Sequence, residues 1–217
     1  MGGFHLTLVS LTASAHLLEW RRASRIIDLT TQLTSKAYLR NPLTGTHLIA
    51  PAYAFKGGRT VDQLSPEGFV TDAVLLDLTR KRPGEVIDDE DMEAAEEDAG
   101  LAVREGEAAI LHITQQPQKR TPRKHAFLSE NAAQYFEFKR VGMVGIDAAS
   151  LGPGTRPSTA HKILLRSGIS VLEGLCNLDQ IEVERFRLVA PPVKVKASVS
   201  PVRALALVTT ALTDTAS

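Results

Sequence analysis

The run from Ala73 to Leu78 (AVLLDL) is apolar over nearly its whole length and too short for a free-standing helix, so it reads as a strand buried on both faces. That one reading constrains the fold, because a strand of this kind needs layers of structure above and below its sheet. Helices of the right kind follow. Asp88 and Asp89 are cap candidates for a helix through Ala99, with acidic residues massed at its start and Gly100 placed to end it. Glu107 to Ile113 (EAAILHI) is a second strand. Ser129 caps a helix to about Lys139, and Val141 to Ile146 (VGMVGI) is a third buried strand. Ser158 or Thr159 starts a helix through Arg166 that Gly168 ends, with a short strand over Ile169 to Leu172. Arg25 to Leu33, Phe186 to Val195 and Ala204 to Val208 are further strands, with Pro191 and Pro192 marking an edge or bulge. Strands alternating with helices indicate an α/β sheet. Thr114 to Lys124, interrupted by Pro117 and Pro122, is a loop.

A chain of 217 residues with 43% apolar and 23% charged residues can bury a sizeable core. No composition shift divides it, so residues 25–217 are expected to form one domain, preceded over residues 1–24 by a helix or arm packed on the domain or on a second subunit. Phe4 and Trp20 are candidates for that packing. The stretch from Phe4 to Trp20 lacks a basic leader, carries His5, His16 and Glu19, and is too short and polar to span a bilayer. Lys+Arg and Asp+Glu balance at 25 each, which argues against nucleic acid or an anionic membrane as partner. The single cysteine, Cys176, excludes an intramolecular disulfide and suits a reducing cytoplasm, where it is expected as a small buried residue. The acidic run from Asp88 to Asp98 is expected on an exposed helix face, and it lacks the spacing and glycine of a calcium loop.

Three positions stand out on chemical grounds. His47 follows Gly45 and Thr46, where a tight turn would hold an imidazole at a fixed angle. His161 and Glu173 lie 12 residues apart across a helix, a glycine turn and a strand, an arrangement that brings both to one end of a sheet. A His and a Glu so placed can bind a divalent metal or share a proton, and each has an ordinary structural reading as well. His112 could face such a site, Asp147 organises a turn near it, and His125 beside Arg123 and Lys124 is expected to be solvated.

With these residues in view, the chain resembles the cyclase family of kynurenine formamidase, isatin hydrolase and related metal-dependent hydrolases. That family carries H-x-G-T-H-x-D-x-P-x-H; the same frame here is Leu43-Thr44-Gly45-Thr46-His47-Leu48-Ile49-Ala50-Pro51-Ala52-Tyr53. Further matches are Gly57 to Leu64, Val144 to Ser150, His161 to Leu165 running into Ile169 to Asp179, and Ser200 to Ala204. The resemblance implies an α/β cyclase-like fold of the swivelling β/β/α kind, a homodimer or larger assembly, and two divalent ions, zinc or manganese. It implies His47 as a ligand of the first ion and His161 and Glu173 as ligands of the second. The family's remaining donors are replaced: its first ligand His is Leu43, its bridging Asp is Ile49, and its acid/base His is Tyr53.

Leu43 and Ile49 offer no donor atom, whereas a hydrolytic divalent site needs about three protein ligands and an open water position. No metal cofactor is therefore expected. His47, His161, Glu173 and Tyr53 are the candidate catalytic residues, with Leu43, Ile49 and Thr46 lining the pocket. The leading expectation is a metal-independent cyclase or lyase of a biosynthetic pathway acting on a carbonyl-containing small molecule. His47 and His161 would serve as acid/base groups and Tyr53 as donor to an oxyanion. The alternatives are a hydrolase with one zinc or manganese on His47, His161 and Glu173, and a non-catalytic binding or structural relative.

Overall fold

The computed structural model describes residues 25–34, 41–114, 125–154 and 157–209. Its frame is a curled nine-stranded sheet. In chain order the strands are β1 (Arg25–Asp28), β2 (His47–Ile49), β3 (Val70–Asp77), β5 (Ala108–His112), β7 (Met143–Ile146), β8 (Ser170–Glu173), β9 (Arg185–Val189), β10 (Val199–Pro201) and β11 (Leu205–Val208). A separate two-stranded ribbon pairs β4 (Val86–Ile87) with β6 (Phe127–Leu128). The spatial order is β1-β11-β9-β3-β5-β7-β8-β2-β10. β3, β5, β7 and β8 run parallel, and the remaining neighbours run antiparallel.

The three α-helices of the described residues begin where the sequence supplies caps. Asp88 caps α1 (Asp89–Asp98) and Ser129 accepts from the Ala132 amide at the head of α2 (Glu130–Lys139). Ser158 heads α3 (Thr159–Arg166). They cover one face of the central strands, where Val74, Leu76, Leu111, Val144, Ile146 and Val171 are fully buried. The opposite face encloses a second core inside the curl, with Ile110, Met143, Leu172, Phe186 and Leu188. The mixed α/β architecture agrees with the sequence expectation.

Several boundaries differ from that expectation. The first strand stops at Asp28, and beyond it Thr30 makes only an isolated bridge to Leu175. The strand expected to reach Val195 ends at Val189, ahead of the two prolines, which cannot donate to a ladder. β2 and β10 were not anticipated. Each is three residues long, and they exist because β2 lies between β8 and β10 in register. Glu96 lies inward from the acidic run: its carboxylate takes Lys139, the Tyr135 hydroxyl and the Val103 amide, which ties α1 to α2. Residues 1–24, with the arm, Phe4 and Trp20, and the loop at 115–124 lie outside the described residues.

Two glycines fix how the end of β8 meets the start of β2. Gly45 has φ +76° and Gly174 has φ +73°, and a Cβ on Gly174 would collide with the Gly45 carbonyl. The close approach lets Thr46 Oγ1 donate to the Gly174 carbonyl at 2.6 Å while accepting the Thr31 amide at 2.8 Å. Gly174→Ala is expected to lower unfolding free energy by about 3 kcal/mol, from left-handed strain and steric clash together. Urea denaturation of the two proteins checks it, and an unchanged midpoint would contradict the constraint.

Candidate functional site

The sheet register makes the site. Glu173, the last residue of β8, pairs directly with His47, the first of β2. In an antiparallel pair such partners project to the same face, so imidazole and carboxylate meet by construction. His161 arrives from the first turn of α3. All three are enclosed, with His47 and His161 at 0% exposure and Glu173 at 2%.

The hydrogen bonds assign the protons. Ser158 and His161 form a capping box in which histidine takes the place of the usual Glu or Gln: the Ser158 amide donates to His161 Nδ1 at 3.2 Å. An Nδ1 that accepts is unprotonated, so Nε2 carries the hydrogen and donates to Glu173 Oε1 at 2.9 Å. The Leu151 amide donates to the same oxygen at 2.5 Å. His47 is held the other way round, with Nδ1–H donating to the Gly45 carbonyl at 2.8 Å. Its Nε2 lies 3.3 Å from Glu173 Oε2 but off the line of a good hydrogen bond, and is a buried nitrogen without a partner. Two lone pairs facing each other there would repel; a proton on Nε2, or a cation between the atoms, makes the contact attractive.

Burial alone would push the Glu173 carboxyl up, but the hydrogen bond from His161 and the His47 imidazole beside it outweigh that and hold it at about 2. Tyr53 ends a short 3₁₀ turn (Pro51–Tyr53) and sets its half-buried ring over His161, with centroids 5.9 Å apart. Burial, and then the Glu173 charge, push its hydroxyl above the ordinary phenol range, which keeps it a proton donor. Ile49 is completely buried between Val171 and Val199, and Leu43 packs half-buried on the same core. Thr46 spends its hydroxyl tying strands together rather than facing a cavity.

The donor set does not suit the two divalent ions that the resemblance implied. Leu43 and Ile49 carry no ligand atom, and His161 Nε2 has already given its proton-bearing side to the carboxylate. The two oxygens of Glu173 address different imidazoles, so the three side chains do not converge on one point, and no group of three or more His, Cys, Asp or Glu among the described residues is arranged to hold a metal ion. What remains for a cation is His47 Nε2 with Glu173 Oε2.

Two residues, His125 and Cys176, differ from the sequence expectation. His125 is half-buried rather than solvated, donating from Nε2 to the Gly152 carbonyl at 3.1 Å. His112 lies 3.8 Å from Asp147 Oδ2, and Asp147 accepts the Ile113 and Thr114 amides, the turn-organising part expected of it. Cys176 is only partly covered, and that burial raises its thiol. Sequence reasoning missed Ser158 and Leu151 as site residues. The pattern Ser158-Thr159-Ala160-His161 is a capping-box frame, and histidine at its last position obscured it.

The Glu173 carboxyl falls from about 4.5 when unfolded to about 2 when folded, so it contributes stability that is fully present above pH 4.5 and lost as pH drops towards 2. The loss is on the order of 3 kcal/mol. Glu173→Gln is expected to destabilise the protein by about 3 kcal/mol at neutral pH and to flatten the acid limb of the stability curve. Chemical denaturation between pH 2 and 7 reads both; an equally steep limb in the variant would place the titrating group elsewhere.

Comparison with known proteins agrees with this geometry. The Cyclase family model matches residues 15–153. The kynurenine formamidase of Salinibacter ruber is 29% identical over 167 residues, covering 75% of this chain and 74% of its own. A solved structure described as a potential metal-dependent hydrolase with cyclase activity superposes with a TM-score of 0.71 at 26% identity, over 84% of this chain and 96% of that one. Isatin hydrolase A from Labrenzia aggregata shares the fold at a TM-score of 0.73 and 22% identity, over 91% of this chain and 100% of its own. No helix among the described residues is long and apolar enough to cross a membrane. With the family's sheet, its Gly-Thr-His turn and its His–Glu pair all in place, this chain belongs to the Cyclase family.

Proposed function

We propose that this chain is a non-hydrolysing member of its family, which keeps the fold and the His–Glu–His centre as a buried structural unit. The observation that carries this reading is enclosure: His47, His161 and Glu173 are within 2% of complete burial, and apart from His47 Nε2 and the Glu173 oxygen it faces they spend their polar atoms on one another and on the backbone. Ile49 and Leu43 supply apolar packing where a hydrolytic site needs donors and water. A metal-free cyclase or lyase finds less support. Neither histidine is exposed to act as base, and Tyr53 alone of the candidates is partly exposed.

One observation favours a second reading. His47 Nε2 is buried without a hydrogen-bond partner beside Glu173 Oε2, and a single zinc or manganese ion there would satisfy both. Relatives named kynurenine formamidase and isatin hydrolase are hydrolases, so this reading is a one-metal hydrolase of an amide or lactam carbonyl.

One experiment separates the two. Protein purified without chelator is assayed for metal content and for hydrolysis of isatin and formanilide, with and without added zinc or manganese. Wild type is expected to hold no stoichiometric metal and to give no turnover above background. The triple variant Leu43→His, Ile49→Asp, Tyr53→His, which restores donor atoms, is expected to gain metal and measurable hydrolysis. Wild-type turnover that requires added metal and disappears on chelation would overturn the proposal in favour of the one-metal hydrolase.

A further inference from the structure

The Leu151 amide that meets Glu173 belongs to a backbone corner, residues 150–153, which follows β7 and is neither helix nor strand. Such a corner needs restraints if one N–H is to stay aimed at a buried carboxylate. Gly152 is its weak point, because a residue without a Cβ is the one most free to turn. The structure removes that freedom from three directions. The Gly152 amide donates to Ser150 Oγ at 3.2 Å. Its α-carbon lies so close to Ser158 that a Cβ there would come within 2.7 Å of the Ser158 Cβ and 3.5 Å of His161 Cε1. Its carbonyl accepts from His125 Nε2 at 3.1 Å, and the Leu151 carbonyl beside it accepts the Leu128 amide at 2.9 Å. Peptide units are planar, so two successive carbonyls held in place limit the swing of the Leu151 N–H that adjoins them.

Both carbonyl-holding donors come from the β4–β6 ribbon or its lead-in. Leu128 is in β6, and His125 precedes that strand with its own carbonyl accepting the Gly84 amide at 3.0 Å. The ribbon is tied to the helices in turn. Ser129, the residue after β6, donates from Oγ to Asp88 Oδ1 at 2.6 Å, which joins the caps of α2 and α1. The grip on the corner therefore has one backbone donor, which almost any residue at 128 would supply, and one side-chain donor, His125, which few would. On its other side the corner reaches both hydrogens that Glu173 Oε1 accepts. One is its own Leu151 N–H; the other is on His161, whose Nδ1 is fed by the Ser158 amide of the residue packed against Gly152.

We propose that His125 is a positioning residue whose hydrogen bond to the Gly152 carbonyl holds the Leu151 amide on Glu173. The inference deepens the reading of the centre as a buried structural unit and rests on it, but it is tested at backbone amides without metal or turnover, so either can fail alone. The test is amide hydrogen exchange and proton shifts by NMR on the full-length chain. His125→Leu removes the donor, and His125→Gln sets a side-chain amide nitrogen near the place of Nε2. In His125→Leu the Leu151 amide is expected to exchange about fivefold faster or more, and its proton to move upfield from the position of a hydrogen bond to a carboxylate. The Val144 amide in β7 is expected to exchange as in wild type, and His125→Gln to restore Leu151. Should His125→Leu not fold, His125→Asn, whose nitrogen falls short of the carbonyl, carries the same expectations. An unmoved Leu151 amide, or a loss that Gln does not repair, would overturn the proposal. Equal acceleration at Leu151 and Val144 would overturn it too, leaving His125 a contributor to overall stability alone.

Discussion

The Glu173 carboxylate is the point on which the site depends. One oxygen accepts two hydrogens, from the Leu151 amide and from His161 Nε2, and the other faces His47 Nε2. A carboxylate this deeply buried is tolerated because one of its oxygens takes two hydrogen bonds. Through those contacts it ties together the loop after β7, the first turn of α3 and the start of β2. The backbone makes the arrangement possible. A Cβ on Gly174 would meet the Gly45 carbonyl, Gly45 itself takes a left-handed φ of +76°, and the Thr46 hydroxyl donates to the Gly174 carbonyl.

The site thereby separates the fold from the chemistry usually built on it. A structural relative is described as a potential metal-dependent hydrolase, whereas this chain packs Leu43 and Ile49 on a continuous hydrophobic core. The remaining imidazoles are turned by different anchors. A backbone carbonyl orients His47, while a helix-capping amide fixes His161 with its Nε2 proton pointing at Glu173. Of these side chains, His161 and Glu173 are hydrogen-bonded to each other, and His47 Nε2 has no hydrogen-bond partner. A fold shared with hydrolases does not by itself carry hydrolysis, which resides in the donors of the site.

Much of the architecture was legible in the sequence because local rules set it. Asp88, Ser129 and Ser158 are capping residues and stand at the head of each helix, and the buried strands at β3, β5 and β7 are compact apolar runs. The short strands were not legible. β2 and β10 have three residues each, no pattern of their own, and a place fixed only by partners distant in sequence. The site was legible in part. His47, His161 and Glu173 do come together, because strand register and helix start are both written nearby. The direction each imidazole faces is set by single backbone groups, Gly45 O and Ser158 N, which residue type alone cannot report. Burial of Glu96 and the Gly152 contact of His125 escaped for the same reason: each depends on an element that folding brings from elsewhere in the chain.

The central claim is that the His47–Glu173–His161 centre is closed on itself, with His161 committed as a donor. The most direct measurement is the nitrogen NMR spectrum of the histidine side chains in the protein as purified, repeated after adding zinc. The account predicts that His161 shows a bare Nδ1 and a protonated Nε2, and that both signals stay in place when zinc is present. A His161 Nε2 signal that loses its proton and moves to a metal-bound position would contradict it.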